Sequence, residues 1–319
     1  MKKTTIMLFW VGSFLLSPHT MANRQRISFD FDWLFHLGDD PAAIQPRFTP
    51  TTWQWEPIQL PHDWSIRLPF DPQAKAADGY LPGGIGLYRK EFQVPDSYKG
   101  KTVSILFDGV YHKSTVYLNG EKVGYHAYGY TGFEYDLSPY IKYGEKNIIS
   151  LHVEHTESSR WYTGSGIYRH AWLQVTNPIH VTTWGTYVTT PEVTKDKAKV
   201  SIRTNITNQT PATETVQVIQ LLVDKHGQAI KTNGRKLETV NFLQLPPNDT
   251  VAIEQQLEVE NPHYWSIDDP YRYFIQTTIK KKKTVTDTYQ TPFGIRTIEF
   301  SSSTGFSLNG QAMKLKGEG

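Results

Sequence analysis

The residues best equipped for chemistry lie in one run of ten, Arg160-Trp161-Tyr162-Thr163-Gly164-Ser165-Gly166-Ile167-Tyr168-Arg169. Two glycines weaken both helix and strand, so the run reads as a shaped loop. Aromatic rings stack on C–H faces, and guanidinium forks hydrogen-bond to hydroxyls. A ligand with apolar faces and many hydroxyls, such as a sugar, suits that set. The alternative is that the rings pack the loop onto its own domain while the arginines are solvated.

Other candidate sites are weaker. Leu81-Pro82-Gly83-Gly84-Ile85-Gly86-Leu87-Tyr88-Arg89 is Gly-rich but lacks the Gly-Lys-Ser/Thr ending of a phosphate loop and the spacing of a dinucleotide turn, so it reads as a loop entering a strand. His152-Val153-Glu154-His155 has metal-ligand residue types. On a strand, however, His152 and Glu154 face one way and His155 the other. Asp30, Asp32, Asp39 and Asp40 match no calcium-loop spacing. No metal and no cofactor is expected. An acid/base carboxylate pair has no signature without a fold, and Glu318 lies next to the last residue, where a catalytic group is hard to hold in place.

Lys+Arg 33 against Asp+Glu 31 leaves a formal net charge of +2 over 319 residues, which gives no electrostatic footprint for nucleic acid. Lys280 to Lys283 reads as a solvated hairpin end. Aromatic residues reach 13%, which favours β structure and leaves rings for a binding surface. Residues 1–22 carry Lys2 and Lys3, an apolar run from Ile6 to Leu16 and small residues around Ala22, the pattern of a cleaved secretory signal. The mature chain is then expected to start near Asn23, secreted or periplasmic, with no membrane attachment after cleavage; an uncleaved anchor is the alternative. Cysteine is absent, which excludes disulfides.

The elements that must hold the loop are strands. Runs at 87–94, 102–107, 114–118, 147–153 and 171–175 are short and are separated by turn chemistry such as Asp108-Gly109 and Asn119-Gly120. Asn-Gly tolerates the two positive φ angles of a type I′ turn, so a hairpin is predicted there. No long amphipathic helical period occurs before residue 178. A second series follows at 179–189, 200–206, 215–223, 251–259 and 273–280. Val200, Ile202, Thr204 and Ile206 share one face by period two, as do Val216, Val218, Gln220 and Leu222. The expectation is all-β: a jelly-roll sandwich of galactose-binding type over residues 23–177, then an immunoglobulin-like sandwich over 178–294.

Several segments together resemble the front half of glycoside hydrolase family 2, the β-galactosidase and β-glucuronidase family. They are Leu60-Pro61-His62-Asp63-Trp64, Leu87-Tyr88-Arg89-Lys90, Phe107-Asp108-Gly109-Val110-Tyr111, Gly129-Tyr130-Thr131-Gly132-Phe133, the loop ending Gly166-Ile167-Tyr168-Arg169, Asn261-Pro262-His263-Tyr264-Trp265 and Phe293-Gly294-Ile295-Arg296. The resemblance implies retaining hydrolysis of β-glycosides by two glutamates of a TIM barrel, carboxyls about 5 to 5.5 Å apart. Residues 295–319 would only begin that barrel, and no residue matches either glutamate, so the chain is expected to be inactive alone. It also implies that Arg160, Trp161 and Tyr162 line the rim of the sugar pocket, with Asp63 beside it or capping its own turn. The expected partner is a β-galactoside-type carbohydrate. Oligomeric state is not legible, and a carbohydrate-binding or scaffold fragment is the alternative.

Overall fold

The computed structural model describes residues 24–51, 54–156 and 161–317. The first ten strands are β1 (Gln25–Ser28), β2 (Trp33–Leu37), β3 (Glu56–Ile58), β4 (Gly84–Gln93), β5 (Thr102–Phe107), β6 (Ser114–Leu118), β7 (Glu121–His126), β8 (Phe133–Asp136), β9 (Lys146–His155) and β10 (Ala171–Thr176). They form two antiparallel sheets, ordered β3-β2-β4-β9-β6-β7 and β1-β10-β5-β8. This is the jelly-roll sandwich. Its core holds Trp33, Tyr88, Phe107, Leu118, Leu151 and Ile167, all buried. The Asn119-Gly120 hairpin joins β6 to β7 with φ of +54° and +90°, the sign both positions of a type I′ turn require.

One alternation of aromatic and polar residues in the sequence is broken by a turn. Phe29 to Leu37 alternates in sequence, yet Asp32 takes φ +59° and the strand starts only at Trp33. The turn brings Phe29 edge-on to Trp33, centroids 5.8 Å apart, and lets the Trp33 indole N–H donate to the Phe29 carbonyl at 2.7 Å. Both rings are buried together as a result.

The second series comprises β11 (Ile179–Val193), β12 (Lys197–Asn208), β13 (Glu214–Val223), the short pair β14 (Lys231–Thr232) and β15 (Arg235–Lys236), β16 (Glu238–Leu245), β17 (Asp249–Glu260), β18 (Tyr273–Lys281) and β19 (Thr284–Phe293). Sheets β11-β12-β17 and β16-β13-β18-β19 face each other as the immunoglobulin-like sandwich. The residues expected to share one face on β12 and on β13 are buried. Two of them are polar. Gln220 donates to Thr204 at 2.9 Å and accepts from Thr277 at 2.7 Å, so the buried polar groups satisfy one another. These bonds lie between two apolar clusters, one around Val200, Ile202 and Ile275 and the other around Ile206, Val216 and Val218. Lys282 and Lys283 form the turn between β18 and β19. Residues 298–312 add a three-stranded antiparallel sheet, β20 (Ile298–Ser301), β21 (Gly305–Leu308) and β22 (Gln311–Ala312).

The two sandwiches are tied at Asp287 on β19. Its buried carboxylate pairs with Arg24, just before β1, at 3.0 Å and accepts from the Val181 N–H at 2.8 Å. Asn177 also donates to the Thr286 carbonyl at 2.6 Å. Removing one member of a buried ion pair strands the other charge. Asp287→Ala is therefore expected to lower unfolding free energy by roughly 3–5 kcal/mol, read by denaturant titration, whereas a loss below about 1 kcal/mol would show the pair to behave as an exposed one.

Candidate functional site

Two stretches about a hundred residues apart meet at the mouth of the jelly-roll. The Asp63 Oδ1 accepts from the Ser65 N–H and from the Ser165 N–H, each at 3.0 Å, while the Tyr162 hydroxyl donates to Oδ2. Backbone bonds reinforce the join, His62 N–H to the Ile167 carbonyl at 2.8 Å and Trp64 N–H to the Ser165 carbonyl at 3.3 Å. Asp63 thus caps its own turn and also holds the loop. Burial raises the Tyr162 pKa, with the bond to Asp63 and its charge adding to the rise, so Tyr162 stays a phenol that donates.

The loop's glycines are required by its path. Gly164 and Gly166 have φ of +79° and +98°, and a Cβ on Gly166 would sit 1.9 Å from the Tyr88 hydroxyl. Beneath the loop a chain of hydroxyls has a fixed direction. Ser65 Oγ donates to the Pro82 carbonyl at 2.7 Å and lies 2.5 Å from Ser165 Oγ, which lies 2.6 Å from His155 Nδ1. Because a carbonyl only accepts, protons run from His155 through Ser165 and Ser65 to Pro82. Burial lowers the His155 pKa, so the ring is neutral with its proton on Nδ1 and an acceptor at Nε2. His62 Nδ1 is hydrogen-bonded to the Tyr88 hydroxyl at 2.9 Å, and that hydroxyl also accepts from the Ile167 N–H at 3.4 Å.

Of the residues expected at the rim, three are brought together: Trp161, Tyr162 and Asp63 share this corner, while Arg160 lies outside the described residues. Trp161 is 57% exposed, and its indole N–H donates to the Tyr130 hydroxyl at 3.1 Å. Tyr130 stacks edge-on with Tyr128 and with Tyr111, centroids 5.7 and 5.5 Å apart. Tyr168 donates to the Gly129 carbonyl at 2.8 Å, fixing the strip 128–130 against the loop. Tyr128 and Tyr130 escaped the sequence reading as site residues; Tyr-Gly-Tyr in an aromatic-rich chain was the available signal. Arg169 is exposed, while segment 164–167 is buried, so the loop is part core and part surface.

The other carboxylates and imidazoles have local duties. Asp30 accepts from His170 at 2.8 Å and from the Ala171 N–H at 2.9 Å, and Asp40 caps the short helix Pro41–Ile44. His152 faces Asp39 at 3.4 Å on one side of β9, and His155 is buried on the other. Among the described residues no three His, Asp or Glu converge as a metal would need, and no helix is long and apolar enough to cross a membrane.

The sequence matches two family models in succession, the sugar-binding domain of glycosyl hydrolases family 2 over residues 27–178 and the glycosyl hydrolases family 2 model over 179–296. The chain belongs to glycosyl hydrolases family 2. It is 41% identical over 310 residues to β-galactosidase BoGH2A of Bacteroides ovatus, covering 96% of this chain and 35% of that protein. A β-glucuronidase of Formosa agariphila is 29% identical over 328 residues, covering 94% and 32%. The crystal structure of a family member from Bacteroides cellulosilyticus superposes with a TM-score of 0.83 at 38% identity, over 92% of this chain and 38% of that one. The chain thus spans about a third of the length of these relatives.

Tyr162→Phe removes one donor from Asp63 and is expected to cost about 1.5 kcal/mol in chemical denaturation, and Asp63→Ala more, since two backbone N–H groups lose their acceptor. Equal losses would count against Asp63 as the anchor. Burial, with the charge of Arg67 adding, lowers the His62 pKa to about 4. The unfolded ring takes its proton near pH 6.5 and the folded one only near 4, so this share of stability is full above 6.5 and is lost as pH falls towards 4. The slope of melting temperature over that window should flatten in His62→Gln.

Proposed function

We propose that this chain is the non-catalytic, sugar-facing N-terminal portion of an exported glycoside hydrolase that acts on β-galactosides with retention. The observation that carries the reading is Trp161, half-exposed and held in place through Tyr130 on one side and through the Asp63-bound Tyr162 on the other. An exposed ring fixed in orientation offers a flat apolar face to a pyranose at small entropic cost. Tyr162 is part of the same rim, and in this reading Arg160 also serves the sugar.

Galactosides are favoured over glucuronides because the likeness to the Bacteroides ovatus β-galactosidase, at 41%, exceeds that to two Formosa agariphila relatives, a putative β-glucuronidase at 36% and a β-glucuronidase at 29%. Retaining chemistry needs two carboxyls about 5 to 5.5 Å apart across a scissile bond. The described carboxylates at the rim do not supply such a pair free of other duties, since Asp63 is bound by three donors. Hydrolysis is therefore assigned to the part of the relatives' length that this chain does not span. Residues 1–22 act in this reading as an export signal.

The purified 319-residue chain is expected to give no turnover of a chromogenic β-galactoside and to bind galactosides weakly by calorimetry. Trp161→Ala should weaken that binding about five-fold, roughly 1 kcal/mol. Turnover by this chain would overturn the assignment of hydrolysis elsewhere. Binding unchanged by Trp161→Ala would leave the loop a structural strap.

A further inference from the structure

The strip 127–132 that braces Trp161 is a loop between β7 and β8, so it owes its place to the side chains that touch it. Two of these contacts come from the jelly-roll: Tyr168 donates to the Gly129 carbonyl at 2.8 Å, and Thr131 Oγ1 lies 3.1 Å from His126 Nε2. A third comes from the other sandwich. A bulge in β11 sets residues 182–185 opposite Asn205 alone, and within it Trp184 takes φ +53°, a left-handed conformation that is costly for a bulky side chain. Its ring end reaches Gly132, where a Cβ would lie 3.0 Å from Trp184 Cη2 and 3.2 Å from Cζ2. Beside it, Thr183 Oγ1 accepts from the Gln174 amide at 3.1 Å, and that amide also donates to Glu134 on β8 at 2.8 Å.

Burial does not account for this tryptophan. It is 61% exposed, so the ring gains little from leaving water. What the bulge achieves is reach: a bulge re-aims a side chain, and this one carries an aromatic edge across the junction to the strip. The bulge is itself braced. The Trp184 N–H donates to the Tyr289 hydroxyl at 3.2 Å, Arg24 stacks over the Tyr289 ring at 4.7 Å, and Arg24 pairs with Asp287. We propose that Trp184 is a positioning residue for the rim: by backing Gly132 it keeps the Tyr130 hydroxyl within hydrogen-bond reach of the Trp161 indole, so the second sandwich sets the pose of a ring carried by the first. Hydrogen bonds weaken steeply with misalignment, so a small shift of the strip is enough to release that indole. The effect on binding rests on the reading of Trp161 as sugar-facing, whereas the placement of the ring does not.

The test uses the full 319-residue chain labelled with nitrogen-15 and reads the Trp161 indole N–H resonance by NMR with no sugar present, assigned as the one missing from Trp161→Phe. Trp184→Ala is expected to move it towards its position in Tyr130→Phe, where the acceptor hydroxyl is absent, and to weaken galactose binding by calorimetry about three-fold. In the Tyr130→Phe background Trp184→Ala should leave the resonance in place, because the coupling runs through that hydroxyl. Tyr187→Ala, which removes a 69% exposed ring from the same strand, should leave it in place too. A resonance unmoved by Trp184→Ala, one moved as far by Tyr187→Ala, or one that Trp184→Ala still moves when Tyr130 is Phe would each overturn the proposal. A resonance that moves as expected in a chain showing no galactose binding keeps Trp184 as the positioning residue and removes the sugar-facing reading of the rim. Should Trp184→Ala fail to fold, Trp184→Phe, whose smaller ring stops short of Gly132, is read against the same outcomes.

Discussion

The carboxylate of Asp63 is the constraint on which the rest of this site depends. It accepts from three donors, two on backbone and one on Tyr162, that belong to segments about a hundred residues apart. A loop with two positive-φ glycines has little reason of its own to adopt one shape, because glycine leaves many backbone states open. Charge-assisted hydrogen bonds to an anion are shorter and stronger than neutral ones, so one carboxylate can select a single path for the loop. With that path chosen, Gly166 can approach the Tyr88 hydroxyl and Ile167 can enter the jelly-roll core.

Placement of the rings follows from the same anchor. Tyr162 points inward because its hydroxyl has an anion to serve, and the adjacent Trp161 is thereby turned outward, towards Tyr130. A tryptophan with more than half its surface in water forfeits a large hydrophobic gain. Its exposure here is set by hydrogen bonds at the loop's two sides, which is the arrangement expected of a surface organised for a ligand before the ligand arrives.

The fold was readable from the sequence to the extent that it is local. Period-two alternation at Val200 to Ile206 and Val216 to Leu222 and the Asn119-Gly120 turn each report a face or a φ sign that neighbouring residues determine. The alternation of aromatic and polar residues from Phe29 to Leu37 is not one strand, because Asp32 interrupts it with a left-handed residue that lets Phe29 pack against Trp33. The site was readable only as residue types. That a Pro-His-Asp-Trp stretch should bond to a loop a hundred positions later, or that Tyr130 should brace Trp161, is fixed by the order of strands across two sheets, and no spacing in the chain carries it.

Rigidity at the mouth has a counterpart at the far end of the jelly-roll. Asp287 on the second sandwich is bound to Arg24 at the start of the first and to the backbone of Val181. Buried ion pairs contribute little net stability against an apolar replacement, but a single geometry satisfies all of their hydrogen bonds. The pair therefore acts on the orientation of the two sandwiches at their junction more than on stability. A loop held by Asp63 would present Trp161 at a defined place only relative to its own sandwich. With the junction at Asp287 also fixed, that place is defined relative to the second sandwich and to the three-stranded sheet that follows it, where Asn309 donates to the Trp265 carbonyl at 3.0 Å and Arg296 stacks over the Trp265 ring. Two aspartates, the half-buried Asp63 at the mouth of the jelly-roll and the buried Asp287 at the junction with the second sandwich, thus set where the aromatic rim stands with respect to the sandwich that follows.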